Sequence, residues 1–534
     1  MADFTKEVDQ LLAKWDKTTS PGCAIAIIHN GEVVHKQGYG MANLELNVPI
    51  TPSSVFYLAS VSKQFAAMAI ALLVEMGKIT LADDIRQYLP ELPDYCDSIT
   101  IDHLVRHTSG LRDYLNLGSL AGKKSEDVWT EKELLEMLIR QKGLNFLPGD
   151  QYAYSNSGYV LLTVIVKRVT GQSMQAFSKE HMFKPLGMRH TVFKEDHQLV
   201  IPNRTAGYSR KANNGFVNEF HNLQVVGDGG LYSNVEDLIL WDQNFYHNRL
   251  GKGTQALLDL VHSTKTLNDG SKHTYAFGLE HETYRGLNAV AHSGGLNGAR
   301  THMKRFPKQN FTVICLSNLS DFAPEEVSYK ITDIYLSDHL QPIQSDIDTK
   351  PAKPAEHESE SLADKVGLYR NPKTGIIRQV KFQDDQLVVL INTEFVVPLQ
   401  PMGKNHFKAL GFPVEALFEP FQSEGRFQML EIFGDNPAMV YEPAESAKPT
   451  ADALVEYCGT YHSIELETDY SLEIDEGNLM LRHRKIADNQ LLPTIEDGFM
   501  GNRFEILFAR NEDNSIAGFT LNSDRIRNIF FTLR

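Results

Sequence analysis

Residues 57–77 read YLASVSKQFAAMAIALLVEMG, and the fold is decided here. From about Ser60 the apolar positions Phe65, Met68, Ala69, Leu72, Leu73 and Met76 step by three, one, three, one and three. That spacing is one face of a helix, and Gly77 is a natural stop. Ser60 and Lys63 stand three apart and therefore share a face. A serine hydroxyl is a poor nucleophile until a neighbour takes its proton. Lysine, with an ordinary pKa of ~10.4, serves as that neighbour only when burial or a second cation lowers its proton affinity. Ser-x-x-Lys alone is common. At the start of a strongly apolar helix, whose first N–H groups are free to bind an oxyanion, it is a candidate nucleophile and base.

Moving outward, residues 1–17 read as an amphipathic helix. Gly22–Gly40 reads as a β-hairpin around the turn pair Asn30-Gly31. Tyr154-Ser155-Asn156 precedes a nearly all-apolar helix, Ser157–Thr170, ending at Gly171. A tyrosine beside a lysine can share its proton and act as a general base, and Asn156 can hydrogen-bond both substrate and lysine. Strand-like runs fill Ala276–Asn318, with Asn297-Gly298 as a second hairpin turn. At the end of one strand stands His292-Ser293-Gly294-Gly295, where glycines admit a close approach of substrate backbone. A last helix is expected near Glu325–Leu336. His107-Thr108-Ser109-Gly110-Leu111 reads as a structural turn. His103 and His107 are four apart, but neither a His-Glu-x-x-His pattern nor a third ligand accompanies them, so no metal and no cofactor is expected.

Gln341–Ser361 breaks the pattern with three prolines, seven charged residues and no aromatic, a linker composition. Beyond it, Leu362-x4-Gly367-x-Tyr369 recurs as Leu454-x4-Gly459-x-Tyr461, an offset of 92 residues shared by Leu387 with Leu479 and Phe407 with Phe499. The short strand-like runs there point to a duplicated antiparallel barrel or sandwich. The expected organisation is a catalytic domain at 1–340, a linker at 341–361, a β-unit at 362–442, a linker at 443–453 and a second β-unit at 454–534.

The 534 residues carry 52 basic and 68 acidic side chains, a net charge of −16, with no basic stripe, so nucleic-acid partners are not expected. A hydrophobic fraction of 42% excludes bulk disorder. Cys23, Cys96, Cys315 and Cys458 are too scattered for a disulfide framework. The charged N-terminus lacks a signal-peptide core, and the longest apolar run, Phe65–Val74, is too short to span a bilayer. The expectation is a cytoplasmic protein with no membrane partner; a homodimer is left open.

Taken together and in order, Ser60-x-x-Lys63, Tyr154-x-Asn156 and His292-x-Gly294 resemble the penicillin-recognising serine hydrolases, the superfamily of β-lactamases and penicillin-binding proteins. The phrase Leu104-Val-Arg-His-Thr-Ser-Gly-Leu111 is similar to its class C branch. A catalytic domain followed by two small barrels is similar to bacterial D-aminopeptidases. The resemblance implies an α/β β-lactamase-like domain, an antiparallel sheet flanked by helices with a helical subdomain, followed by two lipocalin-like barrels. It implies that Ser60 forms an acyl-enzyme, that Lys63 and Tyr154 move its proton, and that the N–H groups of Ser60 and Gly295 form the oxyanion hole. Asn156 orients Lys63 and substrate. His292 replaces the lysine that meets a carboxylate in β-lactamases, which argues against efficient β-lactam hydrolysis. In D-aminopeptidases a loop of the last barrel limits substrate length, and Glu496 and Asp497 in Glu496–Asn502 are its candidates here. The expected activity is hydrolysis of small peptides or amides. A carboxylesterase or weak β-lactamase on the same site is one alternative, and a non-catalytic binding or scaffold protein on the same fold is another.

Overall fold

A computed structural model describes residues 4–96, 98–212, 215–342, 362–393, 395–412, 414–422, 425–432 and 438–534. The linker expected at 341–361 falls, from residue 343 on, outside the described residues. The chain forms two compact units, Met1–Tyr114 with Lys124–Gln344, and Leu115–Lys123 with Ser345–Arg534.

The first unit is built on an antiparallel sheet of six strands. In chain order these are β1 (Cys23–His29), β2 (Glu32–Tyr39), β3 (Glu280–Tyr284), β4 (Leu287–Leu296), β5 (Ala299–Phe306) and β6 (Phe311–Ser317), and in space they run β3-β4-β5-β6-β1-β2. Asn30-Gly31 and Asn297-Gly298 make the two tight turns, with Asn30 and Asn297 at positive φ. β1 is buried on both faces, which is why Cys23–Ile28 is an unbroken apolar run rather than an alternating one. Each Ile so buried contributes roughly 1.5–3 kcal/mol of transfer free energy.

One face of the sheet is covered by α1 (Phe4–Leu12) and by the helix Pro324–Tyr335, through Val8, Leu12, Val327 and Ile331. The N-terminal helix is thus shorter than residues 1–17. The stretch Tyr57–Gly77 meets the sheet through Ala59–Ser62, which packs against β4 and β5. Here the structure corrects the expectation of a helix from Ser60: Ala59–Ser62 is a 3-10 turn, and the α-helix, α2, runs Lys63–Glu75. Every residue of α2 from Lys63 to Leu73 is buried, so the stripe read from its periodicity is only part of its contact surface. α3 (Asn156–Thr170) packs against it and ends at Gly171 as expected.

The second unit holds two closed antiparallel barrels of eight strands each, one from Gly367–Arg370 to Met439–Ala444, the other from Gly459–Ser463 to Ile526–Leu533. The repeat has a physical meaning. Tyr369 Oη donates to the carbonyl of Lys365 at 2.8 Å, and Tyr461 Oη donates to the carbonyl of Tyr457 at 2.8 Å. The same tyrosine ties each barrel's first strand to the turn before it. Leu387 with Leu479 and Phe407 with Phe499 are buried in their respective barrels. Among the described residues no helix is long and apolar enough to cross a membrane.

Candidate active site

Ser60 sits on the 3-10 turn directly after Ala59, a buried residue held at φ +46°. A non-glycine residue in that region costs of order 1 kcal/mol or more and persists only where its surroundings impose it. What imposes it is β4 and β5. The Thr301 hydroxyl donates to the carbonyl of Leu58 at 2.7 Å. A Cβ built on Gly294 would lie 2.5 Å from that same carbonyl oxygen and 2.9 Å from the Ser60 nitrogen. Glycine at 294 therefore lets the strand lie against the turn that carries the hydroxyl. The pairing of β3 with β4 ends at Glu280 opposite Ala291, so among the described residues no strand covers that edge of His292–Leu296.

Lys63, on the first turn of α2, has no solvent exposure. Its Nζ donates to Asn156 Oδ1 at 2.8 Å, to the Asp228 carbonyl at 2.7 Å and to Ser60 Oγ at 3.1 Å. It also lies 4.7 Å from the centre of the Tyr154 ring and 5.5 Å from that of Tyr159. The amide oxygen and the carbonyl are acceptors only, so they take two of the amine's hydrogens. The third position of the nitrogen faces Ser60 Oγ: an N–H when the lysine is charged, a lone pair when it is neutral. This is the arrangement a proton acceptor for Ser60 needs.

Asn156 is the first residue of α3. Its N–H donates to Asp113 Oδ2 at 2.7 Å, and the neighbouring Ser155 N–H donates to His107 Nδ1 at 3.1 Å. The His107 ring packs against Tyr154 at 4.2 Å between centres, tilted by 35°, so the turn read as structural supports the tyrosine. His103 instead closes the cap of its own helix, its Nδ1 accepting from the Thr100 N–H at 3.1 Å.

His292 is brought to the same place, 6.2 Å from Tyr154 between ring centres. Its Nδ1 lies 2.6 Å from the Ser293 carbonyl, which can only accept, so Nδ1 carries the hydrogen. Nε2 then accepts from Tyr275 Oη at 2.8 Å. Burial, with the charge of Lys63, holds the ring neutral down to about 3. With both nitrogens engaged and no charge at working pH, His292 fixes Tyr275 against Tyr154.

The structure thus joins Ser60, Lys63 and Asn156 by hydrogen bonds and sets Tyr154, His292 and Gly294 around them; Gly295 follows on the uncovered strand edge. Sequence reasoning missed Asp228, Asp113 and Tyr275. The run Gly227-Asp228-Gly229-Gly230 was the one available signal, since glycines on both sides of an acid mark a close approach of backbone. In the second barrel, the Asp497 carboxylate is bound by Arg510 Nε at 2.9 Å and Tyr457 Oη at 2.9 Å, so it already has its counter-charge, while Glu496 beside it is exposed.

Among the described residues burial lowers the proton affinity of several histidines, furthest for His292, His302 and His262, which stay neutral down to about 3, and His221, down to about 4. In the unfolded chain each titrates near ~6.5. Below that value the unfolded chain takes up protons that the fold refuses. Stability is therefore full above about 6.5 and falls with pH, by up to about 1.4 kcal/mol per histidine per pH unit. Asp228 (raised to about 6), Glu505 (raised to about 7) and Glu280 act oppositely, since the fold keeps their protons longer than the unfolded chain does. Carboxylates held low by their partners, such as Asp102 and Asp497, add their loss only below the unfolded value of ~3.9. The expected result is a urea midpoint that falls steadily from pH 6.5 to 4.5; a midpoint constant over that window refutes the burial argument.

Residues 4–333 match the family model described as Beta-lactamase. The chain is 29% identical over 298 residues to the D-aminopeptidase of Gluconobacter oxydans (strain 621H), in a match covering 56% of each chain. It thus spans little more than half the length of that relative. It is 30% identical over 418 residues to Penicillin-binding protein 4* of Bacillus subtilis (strain 168), covering 73% of this chain and 88% of that one. Among solved structures it resembles the octameric penicillin-binding protein homologue from Pyrococcus abyssi, with a TM-score of 0.56 and 23% identity over 82% of this chain and 99% of that one, a likeness of fold.

Proposed function

The chain belongs to the beta-lactamase family, and from that premise we propose that it is a serine hydrolase acting through an acyl-enzyme on small peptide or amide substrates, in the manner of a D-aminopeptidase. The observation that carries this reading is the placement of Lys63. Two fixed acceptors orient its nitrogen, and the remaining position faces Ser60 Oγ at 3.1 Å. Ser60 attacks the substrate carbonyl, and its proton passes to Lys63 and Tyr154. The developing oxyanion is met by the N–H groups of Ser60 and Gly295, and the leaving amine departs with a proton returned through the same pair. Water then repeats the sequence on the ester.

The substrate class follows from charge. A neutral His292 with both nitrogens engaged offers no cation at the strand position where a β-lactam carboxylate binds in the lysine-bearing relatives. Substrates whose recognised end is neutral or an ammonium are favoured over those that need a carboxylate held there. The name of the Gluconobacter relative supports an N-terminal D-residue as the acyl donor.

Two measurements test the reading. A fluorophosphonate probe labels Ser60 in the folded protein; no labelling leaves the binding or scaffold alternative. Rates on D-Ala and L-Ala p-nitroanilides, a p-nitrophenyl ester and a chromogenic cephalosporin then separate the activities. The expected order places the D-anilide above the L-anilide and the cephalosporin last. An ester rate with no anilide turnover moves the reading to a carboxylesterase, and fast cephalosporin turnover overturns the argument from His292.

A further inference from the structure

The geometry assigns Asp228 a positioning role in this reaction: its buried carboxylate is the counter-charge of Lys63 and sets the pH above which the Ser60–Lys63 pair can act. The inference rests on the proposed roles of Ser60 and Lys63. Three observations lead to it.

First, Asp228 touches the amine directly through its backbone, its carbonyl accepting from Lys63 Nζ at 2.7 Å. Second, its side chain is only 6% exposed and is built in, with Tyr114 Oη donating to Oδ2 at 3.0 Å. The backbone there has no room to move. A Cβ on Gly229 would lie 2.4 Å from Tyr57 Oη, and one on Gly227 2.5 Å from the Tyr159 carbonyl. Third, a fully buried ammonium is costly without an opposite charge. The ionisable groups facing Asp228 are Lys63 on α2, Tyr57 on the strand Phe56–Tyr57, and Asp113 and Tyr114 at the start of the helix Tyr114–Leu120. Asp113 holds the Asn156 N–H at 2.7 Å. The buried amine and the Asp228 carboxylate thus lie in each other's field, and the proton affinity of each depends on the charge of the other.

Burial pushes the Asp228 carboxyl up to about 6, against the pull of Lys63. Above that range the carboxylate is ionised and favours the ammonium form of Lys63, delaying release of the amine that Ser60 needs. Removing the negative charge while keeping the shape reverses this: the free amine becomes accessible at lower pH.

Asp228→Asn is the decisive variant, because it keeps the carbonyl for Lys63 and an oxygen for Tyr114. The readout is the rate at which a neutral fluorophosphonate labels Ser60, followed from pH 4.5 to 9. The acid limb of Asp228→Asn is expected at least one pH unit below that of the parent, with the plateau rate within tenfold. Tyr114→Phe removes the O–H that stabilises the carboxylate, so its limb moves the same way by a smaller amount. Superimposable limbs for the parent and Asp228→Asn overturn the inference, even if the plateau falls, because a lowered plateau alone is a structural effect. Should Asp228→Asn fail to fold, an unmoved limb in Tyr114→Phe overturns it instead. Absence of labelling in the parent at every pH removes the hydrolase reading itself, and this inference with it.

Discussion

Replacing Ser60 by alanine abolishes turnover and fluorophosphonate labelling while leaving the fold intact. The structural side follows from the contacts. Lys63 keeps Asn156 Oδ1 at 2.8 Å and the Asp228 carbonyl at 2.7 Å, so no buried charge is stranded when Oγ is removed. The change deletes one oxygen from a 3-10 turn that is held by its backbone, not by that hydroxyl. The chemical side follows from the proposed mechanism, in which no other group forms the acyl bond. Losing the nucleophile of a serine protease costs on the order of 10⁶ in turnover, and a loss of the same order is expected here. Steady-state rates on the D-Ala anilide, with circular dichroism and a melting curve as fold controls, decide the matter. A variant that melts like the parent and retains a tenth of its turnover places the nucleophile elsewhere.

Gly294→Ala has the second largest effect, and it acts through distance rather than chemistry. The added methyl lies 2.5 Å from the Leu58 carbonyl, 2.5 Å from Thr301 Oγ1 and 2.9 Å from the Ser60 nitrogen. Backbone atoms cannot swing aside as a flexible side chain can, so β4 and the turn bearing Ser60 must separate. A displacement of about 1 Å at a reacting centre costs on the order of 10²-fold, and overpacking of this kind costs about 1–3 kcal/mol of stability. We expect kcat to fall at least a hundredfold, with a lowered melting temperature. Gly295→Ala is the packing control. Its nearest new contacts, with the Arg300 side chain, begin at 3.4 Å, so its melting temperature stays near that of the parent. A Gly294→Ala enzyme within threefold of the parent kcat, at unchanged stability, excludes the close approach as a requirement.

The two variants also mark how far the sequence could be read. Ser60 was legible because its chemistry is local: a hydroxyl and an amine three residues apart at the head of an apolar helix. Gly294 was legible as a place where backbone comes close, but not as the residue that presses on Ser60, because the two are far apart in the chain. The repeat at 92 residues was legible for a similar reason, since the tyrosines at 369 and 461 and the buried Leu and Phe anchors recur with the fold they build. The helix start was misplaced by three residues, because periodicity cannot separate a 3-10 turn from the first turn of an α-helix.

The sequence by itself carried the main elements around the site, the duplication of the β-units, the resemblance to the family and the order of the candidate motifs. All of these rest on short-range patterns: periodic apolar positions, tight-turn pairs and motif spacing. Only the tertiary structure decided the state of the site. It placed Asn156 and Asp228, 93 and 165 residues from Lys63 in the chain, at the two positions that aim the amine at Ser60. It fixed the His292 ring with its hydrogen on Nδ1 and buried the Asp228 carboxyl next to the lysine that its own backbone carbonyl holds. Proton affinity depends on desolvation and on charges brought together by the fold, and neither quantity is written in the spacing of residues along the chain.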